Sequence, residues 1–236
     1  LDRVAEQAEP GDIVTLVYTS GTTGPPKGAM LSNANVEFAS KVIVDGGGLY
    51  DPPPNPSDVI LSYLPLCHVA EQMLTNFVPL YLGSRVDFGE SIRTVQEDLR
   101  EVAPTMFLGV PRIWEKLAST IAIKVQEAQA LPRWLYERAV AACKPFAHKA
   151  AHQRTVAEKQ TFGFWYLLVF RALQNFIGLR DVKVALTGAA PISPSLVLYF
   201  RTLGIPLVEV YGMTESSGMV LGQQLHDVTP GTVGAP

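Results

Sequence analysis

The sequence predicts an α/β fold, with parallel and mixed sheets flanked by helices. Short β-branched runs alternate with longer segments of helical periodicity, the pattern of strands joined by crossover helices. The chain has 236 residues, 47% hydrophobic and 17% charged, which is enough apolar material for a large core and too much for disorder. Three polar, glycine-containing tips, "TSGTTG", "TGAAP" and "YGMTESSG", follow predicted strands. In an open parallel sheet those tips are where a ligand is held.

Taken in order, "IVTLVY" (Ile13 to Tyr18) reads as a buried strand running into a glycine-rich loop. "LSNANVEFASKVIV" follows as a helix, with Ser32 or Asn33 as cap and Val36, Ala39, Val42 and Ile43 on one face. Prolines at 52, 53, 54 and 56 make "DPPPNPSD" a loop. "VILSYL" is a strand, Val69 to Leu82 a helix closed by Gly83, "SRVDF" a strand, Ile92 to Val102 a helix and "TMFLG" a strand. From Arg112 to about Phe176 the pattern is helical, with breaks expected near Pro132, Pro145 and Gly163. "VKVALTG" is a strand, Ser193 to Leu203 a helix and "PLVEVYG" a strand.

A net charge of −3 and a pI near 5.8 exclude the basic excess of a nucleic-acid protein. Cys67 and Cys143 cannot form a disulfide framework, and "LDRVAEQAEPGD" carries no signal-peptide pattern, so a cytoplasmic setting is expected. The longest apolar stretch, "FGFWYLLVF", is about half of a spanning helix and is expected as a buried helix. Peripheral contact with a membrane stays open there and at the basic run "CKPFAHKAAHQRTVAEK", whose plainer reading is a solvated helix face. Cys67 beside His68 lacks a second ligand pair at zinc spacing.

The chemistry concentrates in "YTSGTTGPPKG". Gly21, Gly24 and Gly28 free the backbone to turn its N–H groups inward. The hydroxyls of Thr19, Ser20, Thr22 and Thr23 add donors, and Lys27 a point charge. Such a loop suits a polyphosphate. It is not the G-x-x-x-x-G-K-[ST] nucleotide loop, because Pro25 and Pro26 separate Gly24 from Lys27 and Gly28 stands where a magnesium-binding hydroxyl belongs. In "VEVYGMTESSG", Tyr211 offers a flat face to a base, Thr214 a hydroxyl to a phosphate and Glu215 a hard oxygen to Mg²⁺. In "TGAAPIS", Gly188, Ala189 and Ala190 are small enough to let a flat ring lie on the backbone, and Ser193 is placed to cap the next helix.

From Thr19 to Gly28 the loop resembles, at every position, the phosphate-loop signature [ST]-[ST]-G-[ST]-T-G-x-P-K-G of the acyl-adenylate-forming superfamily. Tyr211 to Glu215 resembles its Y-G-x-T-E motif, and "TPGTVGAP" its G-T-V-G-x-P segment. "LPLCHVAEQ" matches the segment where that family places a histidine, here His68, beside the acyl carboxylate. "GVPRIWEKL" and the long helical region after it resemble long-chain fatty acyl-CoA synthetases of the bubblegum type and their bacterial relatives.

The resemblance implies a ligase that turns a long-chain fatty acid and ATP into acyl-AMP, then uses coenzyme A to release acyl-CoA. It implies phosphate binding by Thr19, Ser20, Gly21, Thr22, Thr23, Gly24, Lys27 and Thr214. Adenine goes to Gly188, Ala189, Ala190, Tyr211 and Gly212, Mg²⁺ to Glu215, and the acyl group to His68, Val110 and Arg112, with Lys27, His68, Thr214 and Glu215 catalytic. On this expectation residues 1–236 are the central part of the adenylation domain. The family's N-terminal portion, its [ST]-G-D motif and its C-terminal lysine-bearing domain are absent, and the piece alone is inactive. Two alternatives remain: a non-catalytic module that binds nucleotide or acyl ligands, and an acyl-AMP ligase that delivers to a carrier protein.

Overall fold

The computed structural model describes residues 7–19, 25–45 and 52–234. Two sheets form. β1 (Ile13–Thr19) and β2 (Lys27–Ser32) make an antiparallel pair, with Thr19 opposite Lys27. The second sheet has six strands in the order β4-β3-β5-β6-β7-β8. In it β3 (Val59–Ser62), β4 (Arg85–Phe88), β5 (Met106–Gly109), β6 (Val184–Thr187) and β7 (Leu207–Met213) are parallel neighbours, and β8 (Gly218–Gly222) turns back antiparallel on β7. The mixed α/β class is as the alternation of patterns predicts.

Helix α1 (Asn33–Asp45) starts where Ser32 and Asn35 bond reciprocally, the Asn35 amide donating to Ser32 Oγ and the Ser32 amide to Asn35 Oδ1. Ser32 therefore caps it rather than Asn33. α2 (Val69–Gln72), a π-helical segment Met73–Phe77 and α3 (Val78–Leu82) run as one helix that Gly83 ends in the left-handed conformation. α4 (Val95–Val102) follows β4, and α5 (Pro111–Gln126) and α6 (Ala130–Cys143) follow β5. α7 (Val156–Trp165), a second π segment Tyr166–Phe170 and α8 (Arg171–Ile177) lead to β6. α9 (Pro194–Thr202) then leads to β7.

Several expectations change. β1 lies apart from the main sheet and is largely exposed: Ile13, Val14, Leu16 and Tyr18 face outward while Val17 and Leu31 are buried. A two-stranded sheet offers little cover, so an apolar run does not guarantee burial. The helix expected from Leu31 begins at Asn33, because Leu31 and Ser32 belong to β2 and pair with β1. On α1 the buried positions are Val36, Ala39, Ser40 and Ile43, and Val42 is exposed, since 36, 39, 40 and 43 are the true i, i+3, i+4, i+7 face. The helix expected from Ile92 begins at Val95, because Ser91 and Thr94 close a hydrogen-bonded turn first.

Pro132 sits in the first turn of α6 and does not break it, and α7 passes through Gly163 without interruption. "FGFWYLLVF" is helical but only half covered: Phe170 is buried while Phe164, Leu167 and Leu168 are exposed. The basic run is not a plain solvated face. Lys149 Nζ bonds Glu158 Oε1 at 2.7 Å, and the Arg154 guanidinium stacks over Phe146 and Phe162. Ser193 precedes α9 as expected, but its hydroxyl meets Ser195 Oγ rather than a backbone amide. No helix of the described residues is long and apolar enough to cross a membrane.

The core is centred on β5 and β6. Trp114 of α5, fully buried, meets Phe107 of β5 and Phe200 of α9 edge-on, at ring-centroid distances of 5.5 and 4.9 Å. Each such contact adds about 0.5–1.5 kcal/mol to the burial of the rings. Trp114 Nε1 donates to the Gly109 carbonyl at 2.9 Å, which pins the carboxyl end of β5 to α5.

At the opposite end of the strands, buried Asp58 accepts from Lys183 Nζ at 2.6 Å and from Thr105 Oγ1 at 2.7 Å. Burial pushes this carboxyl up, but the bonds from Lys183, the Asn55 amide and Thr105 outweigh it and hold it below the usual carboxylate range. The unfolded chain therefore binds a proton more readily, so this stabilisation is present above about pH 4 and is lost as pH falls through the lower folded value. Asp58→Ala, which leaves Lys183 unpaired, is expected to cost about 3 kcal/mol at pH 7, read from urea midpoints. The difference from wild type shrinks below pH 4, and a pH-independent difference would show that the ion pair is not its source.

Candidate active site

A cavity of about 320 Å³ opens at the carboxyl ends of β5, β6 and β7. Strand register sets Leu108 beside Leu186 and Leu186 beside Val208. Side chains alternate along strands, so two residues further on Val110, Gly188 and Val210 form the next row on the same face. All three line the cavity, with Leu108 and Leu186 behind them. The facing wall is the helix beginning at Val69, whose Val69, Ala70, Met73 and Leu74 share one side. Ile43 of α1 and Met219 of β8 complete the apolar lining.

Gly188 is dictated by close approach. A Cβ there would stand 2.9 Å from the Val210 carbonyl oxygen and 3.1 Å from Val210 Cγ2. Leaving it out keeps β6 and β7 in contact and the middle of the row open. Ala189 follows with φ of 67°, a left-handed conformation that costs a residue with a Cβ on the order of 1 kcal/mol and that recurs at functional turns.

The upper rim is the β7–β8 hairpin. Tyr211, Gly212 and Thr214 line the cavity there, and the pairing with β8 shifts by one residue between Tyr211 and Gly212, as at a β-bulge. Gly212 admits no side chain, since a Cβ would fall 2.1 Å from the Gly218 carbonyl oxygen. Thr214, Glu215 and Ser216 form a 3₁₀ turn at the tip. Glu215 is exposed, and its carboxylate has no hydrogen bond or ion pair among the described residues. No group of three His, Cys, Asp or Glu that could hold a metal ion occurs among the described residues, so Glu215 would act as a lone protein carboxylate.

His68 sits at the N-terminal end of α2 and lines the cavity. Its backbone is fixed by its own amide donating to Pro65 O and its carbonyl accepting from the Gln72 amide, both at 3.0 Å, while its imidazole does not cap the helix. On the other face of the sheet Tyr63 donates its hydroxyl to the Leu108 carbonyl at 2.8 Å and stacks on Phe107, which holds β5 in place behind the cavity. Burial keeps that phenol protonated.

The structure thus brings His68, Val110, Gly188, Ala189, Tyr211, Gly212 and Thr214 to one cavity. Ala190 and Arg112 are exposed and do not line it. Ser20, Gly21, Thr22, Thr23 and Gly24 lie outside the described residues. Thr19 and Lys27, which flank them, face each other across the β1–β2 hairpin. That hairpin reaches the site from two sides: β2 packs against the Thr214–Ser216 turn, and Thr15 Oγ1 donates to Gln72 Oε1 at 3.0 Å. Sequence reasoning missed Met73, Leu74, Leu108, Leu186, Val210 and Met219. For the strand residues a signal existed, because Leu108/Val110, Leu186/Gly188 and Val210/Gly212 are alternate positions, but it becomes readable only with the register known.

A family model described as AMP-binding enzyme matches residues 2–236. The chain is 37% identical over 224 residues to the long-chain-fatty-acid–CoA ligase ACSBG2 of Gallus gallus, covering 92% of this chain and 29% of that protein. It is 34% identical over 233 residues to the putative fatty-acid–CoA ligase fadD11 of Mycobacterium tuberculosis, covering 96% of this chain and 39% of that one. The chain therefore spans about a third of the length of these relatives. Among solved structures, a malonyl-CoA ligase with methylmalonyl-CoA and AMP bound superimposes with a TM-score of 0.63 at 23% identity, over 97% of this chain and 38% of that one. ATP-bound MatB from Rhodopseudomonas palustris gives a TM-score of 0.60 at 22% identity, over 96% and 34%. At these identities the two structures show a shared fold.

Gly188→Ala tests the row that shapes the cavity. The added methyl meets rigid backbone, so a loss of about 1–3 kcal/mol in denaturant-derived stability is expected. An unchanged midpoint would mean that β6 and β7 do not need this close approach.

Proposed function

The chain belongs to the AMP-binding enzyme family, and from that premise we propose that it activates a long-chain fatty acid with ATP and passes the acyl group to coenzyme A. The observation that carries the reading is the junction of two chemistries in one cavity. The interior is apolar, built from Met73, Leu108, Val110, Leu186 and Val210, and the rim is polar, built from Tyr211, Gly212, Thr214 and His68. An alkyl chain fits the first and a nucleotide the second.

In the first step the acid's carboxylate oxygen attacks the α-phosphorus of ATP. The bond to the bridging oxygen breaks, and pyrophosphate leaves with its electron pair. In the second step the coenzyme A thiol loses its proton and attacks the acyl carbon, and AMP leaves. The two anions of the first step repel, so charge must be neutralised where it builds up. Lys27 and the backbone of the glycine loop are assigned to the β- and γ-phosphates, the Thr214 hydroxyl to the α-phosphate and Tyr211 with Gly188–Ala190 to adenine. His68 orients the acid's carboxylate at the boundary between rim and interior.

Glu215 fits Mg²⁺, which takes one or two protein carboxylates and completes its shell with phosphate oxygens and water. When bound, the ion supplies positive charge to the phosphates. Glu215 is exposed and unpaired among the described residues, so taking the ion breaks no existing contact of its carboxylate there.

The test is ATP–pyrophosphate exchange dependent on a saturated fatty acid, measured on the protein from its complete reading frame. Glu215→Ala is expected to lower exchange by at least about a hundredfold with an unchanged circular-dichroism melt. Exchange that survives the substitution removes the metal assignment. Wild-type protein that binds AMP but exchanges with no acid is a binding module rather than a ligase.

A further inference from the structure

His68 stands at the N-terminal end of α2 and Gln72 at its other end, one helical turn away. The Gln72 side chain bonds in two directions. Its Nε2 donates to the Leu66 carbonyl at 2.9 Å, and its Oε1 accepts from Thr15 Oγ1 at 3.0 Å. A carbonyl can only accept, so the amide nitrogen faces Leu66 and the amide oxygen is left for a donor, which the Thr15 hydroxyl supplies. Glutamate, lysine or arginine at this position could make one of the two bonds but not both.

The two partners belong to different parts of the site. Leu66 lies in the turn from Pro65 to His68, which the His68 amide closes on the Pro65 carbonyl at 3.0 Å. Thr15 lies in β1, opposite Leu31 of β2. Four residues further along β1, about 14 Å away, Thr19 stands opposite Lys27. Among the described residues the Thr15–Gln72 bond is the only hydrogen bond from β1 or β2 to an element beyond that pair and α1.

The same helical turn is fixed to the main sheet by the residue before. Glu71, 3% exposed, accepts at Oε1 from Ser62 Oγ of β3 at 2.6 Å and from Thr75 Oγ1 at 3.0 Å. The turn is therefore held on the sheet through Glu71, and Gln72 sets where the hairpin stands against it.

We propose that Gln72 is a positioning residue that holds the β1–β2 hairpin and the His68 turn in one fixed relation. The proposal rests on the reading above for the ligands, ATP phosphates on the hairpin and the acid's carboxylate at His68. The two react only when carboxylate oxygen and α-phosphorus are brought into line, and a misplacement of about 1 Å can cost a hundredfold in rate. Gln72 acts through the two segments it joins.

The experiment takes the complete protein with Thr15→Val, Gln72→Leu and Thr15→Ser beside wild type. Amide hydrogen exchange is followed by mass spectrometry with no ligand added. Breaking one such bond is expected to speed local exchange about fivefold. Thr15→Val, which keeps the side chain's shape and removes its hydroxyl, does so at residues 66–72. Gln72→Leu does so in β1 and β2, and Thr15→Ser, which keeps the hydroxyl, exchanges like wild type in both segments. Either of the first two variants suffices if the other fails to fold. Pyrophosphate exchange with palmitic acid is measured on the same samples. In Thr15→Val and Gln72→Leu kcat is expected to fall about tenfold or more, with KM for ATP and for the acid within about twofold of wild type. Thr15→Ser keeps the wild-type kcat.

Unchanged hydrogen exchange at residues 66–72 in Thr15→Val, or in the hairpin in Gln72→Leu, overturns the proposal. So does a loosened hairpin with wild-type kcat, or a loss of kcat that Thr15→Ser shares. Wild-type protein without pyrophosphate exchange overturns the ligase reading instead, and hydrogen exchange in the two segments still decides whether Gln72 joins them.

Discussion

Strands β5, β6 and β7 lie in fixed parallel register, and the cavity depends on that register at each of its walls. Leu108 beside Leu186, then Val110, Gly188 and Val210 in the next row, is a pattern that a slip of one residue would send to the other face of the sheet. On that other face sits the stack of Phe107, Trp114 and Phe200, and Trp114 also fastens the end of β5 through the Gly109 carbonyl. Core and site are therefore two faces of the same three strands. A change in packing on one side moves the row that shapes the other.

The end of β7 carries the rim and is held by polar contacts that are almost all to backbone. Glu209 Oε1 accepts from the Gly231 amide at 2.9 Å, and Gln223 Nε2 donates to the carbonyls of Thr229 and Thr232 at 2.7 and 2.8 Å. Arg201, buried and pulled down to about 10 first by burial and then by neighbouring Arg154, is still charged at neutral pH. It donates to the carbonyls of Ala147, His148, Leu207 and Leu225. One guanidinium thus ties α9, the start of β7 and the segment after α6 together, with no carboxylate partner among the described residues. The "TPGTVG" segment, conspicuous as a motif, serves here as a brace for β7.

Charge is distributed to match an apolar interior with a polar entrance. Among the lining residues only His68 is titratable apart from the phenol of Tyr211, and the carboxylate and ammonium assigned to phosphates and metal, Glu215 and Lys27, stand outside the cavity in solvent. Cys143, by contrast, is buried and its thiol is pushed up to about 11 by that burial, with Arg154 opposing, so it is packing rather than a nucleophile.

The sequence by itself determined the class of fold, the order of most elements and two of the tips that meet at the site, "TGAAP" and "YGMTES". Hydrophobic period and glycine punctuation are local properties, and "TGAAP" and "YGMTES" carry their own turn chemistry. It also marked membership of the AMP-binding enzyme family through "TSGTTGPPKG", where every position of a long signature is occupied. Only the tertiary structure decided that β1 leaves the main sheet, that the helix holding Phe164 and Leu167 is half exposed, and that Arg112 is exposed and does not line the cavity. Only it placed Leu74, Leu108 and Leu186 around one cavity. Leucines far apart in a chain look alike, and what distinguishes three of them is which strands pair and in what register, a non-local choice settled by packing across the whole sheet.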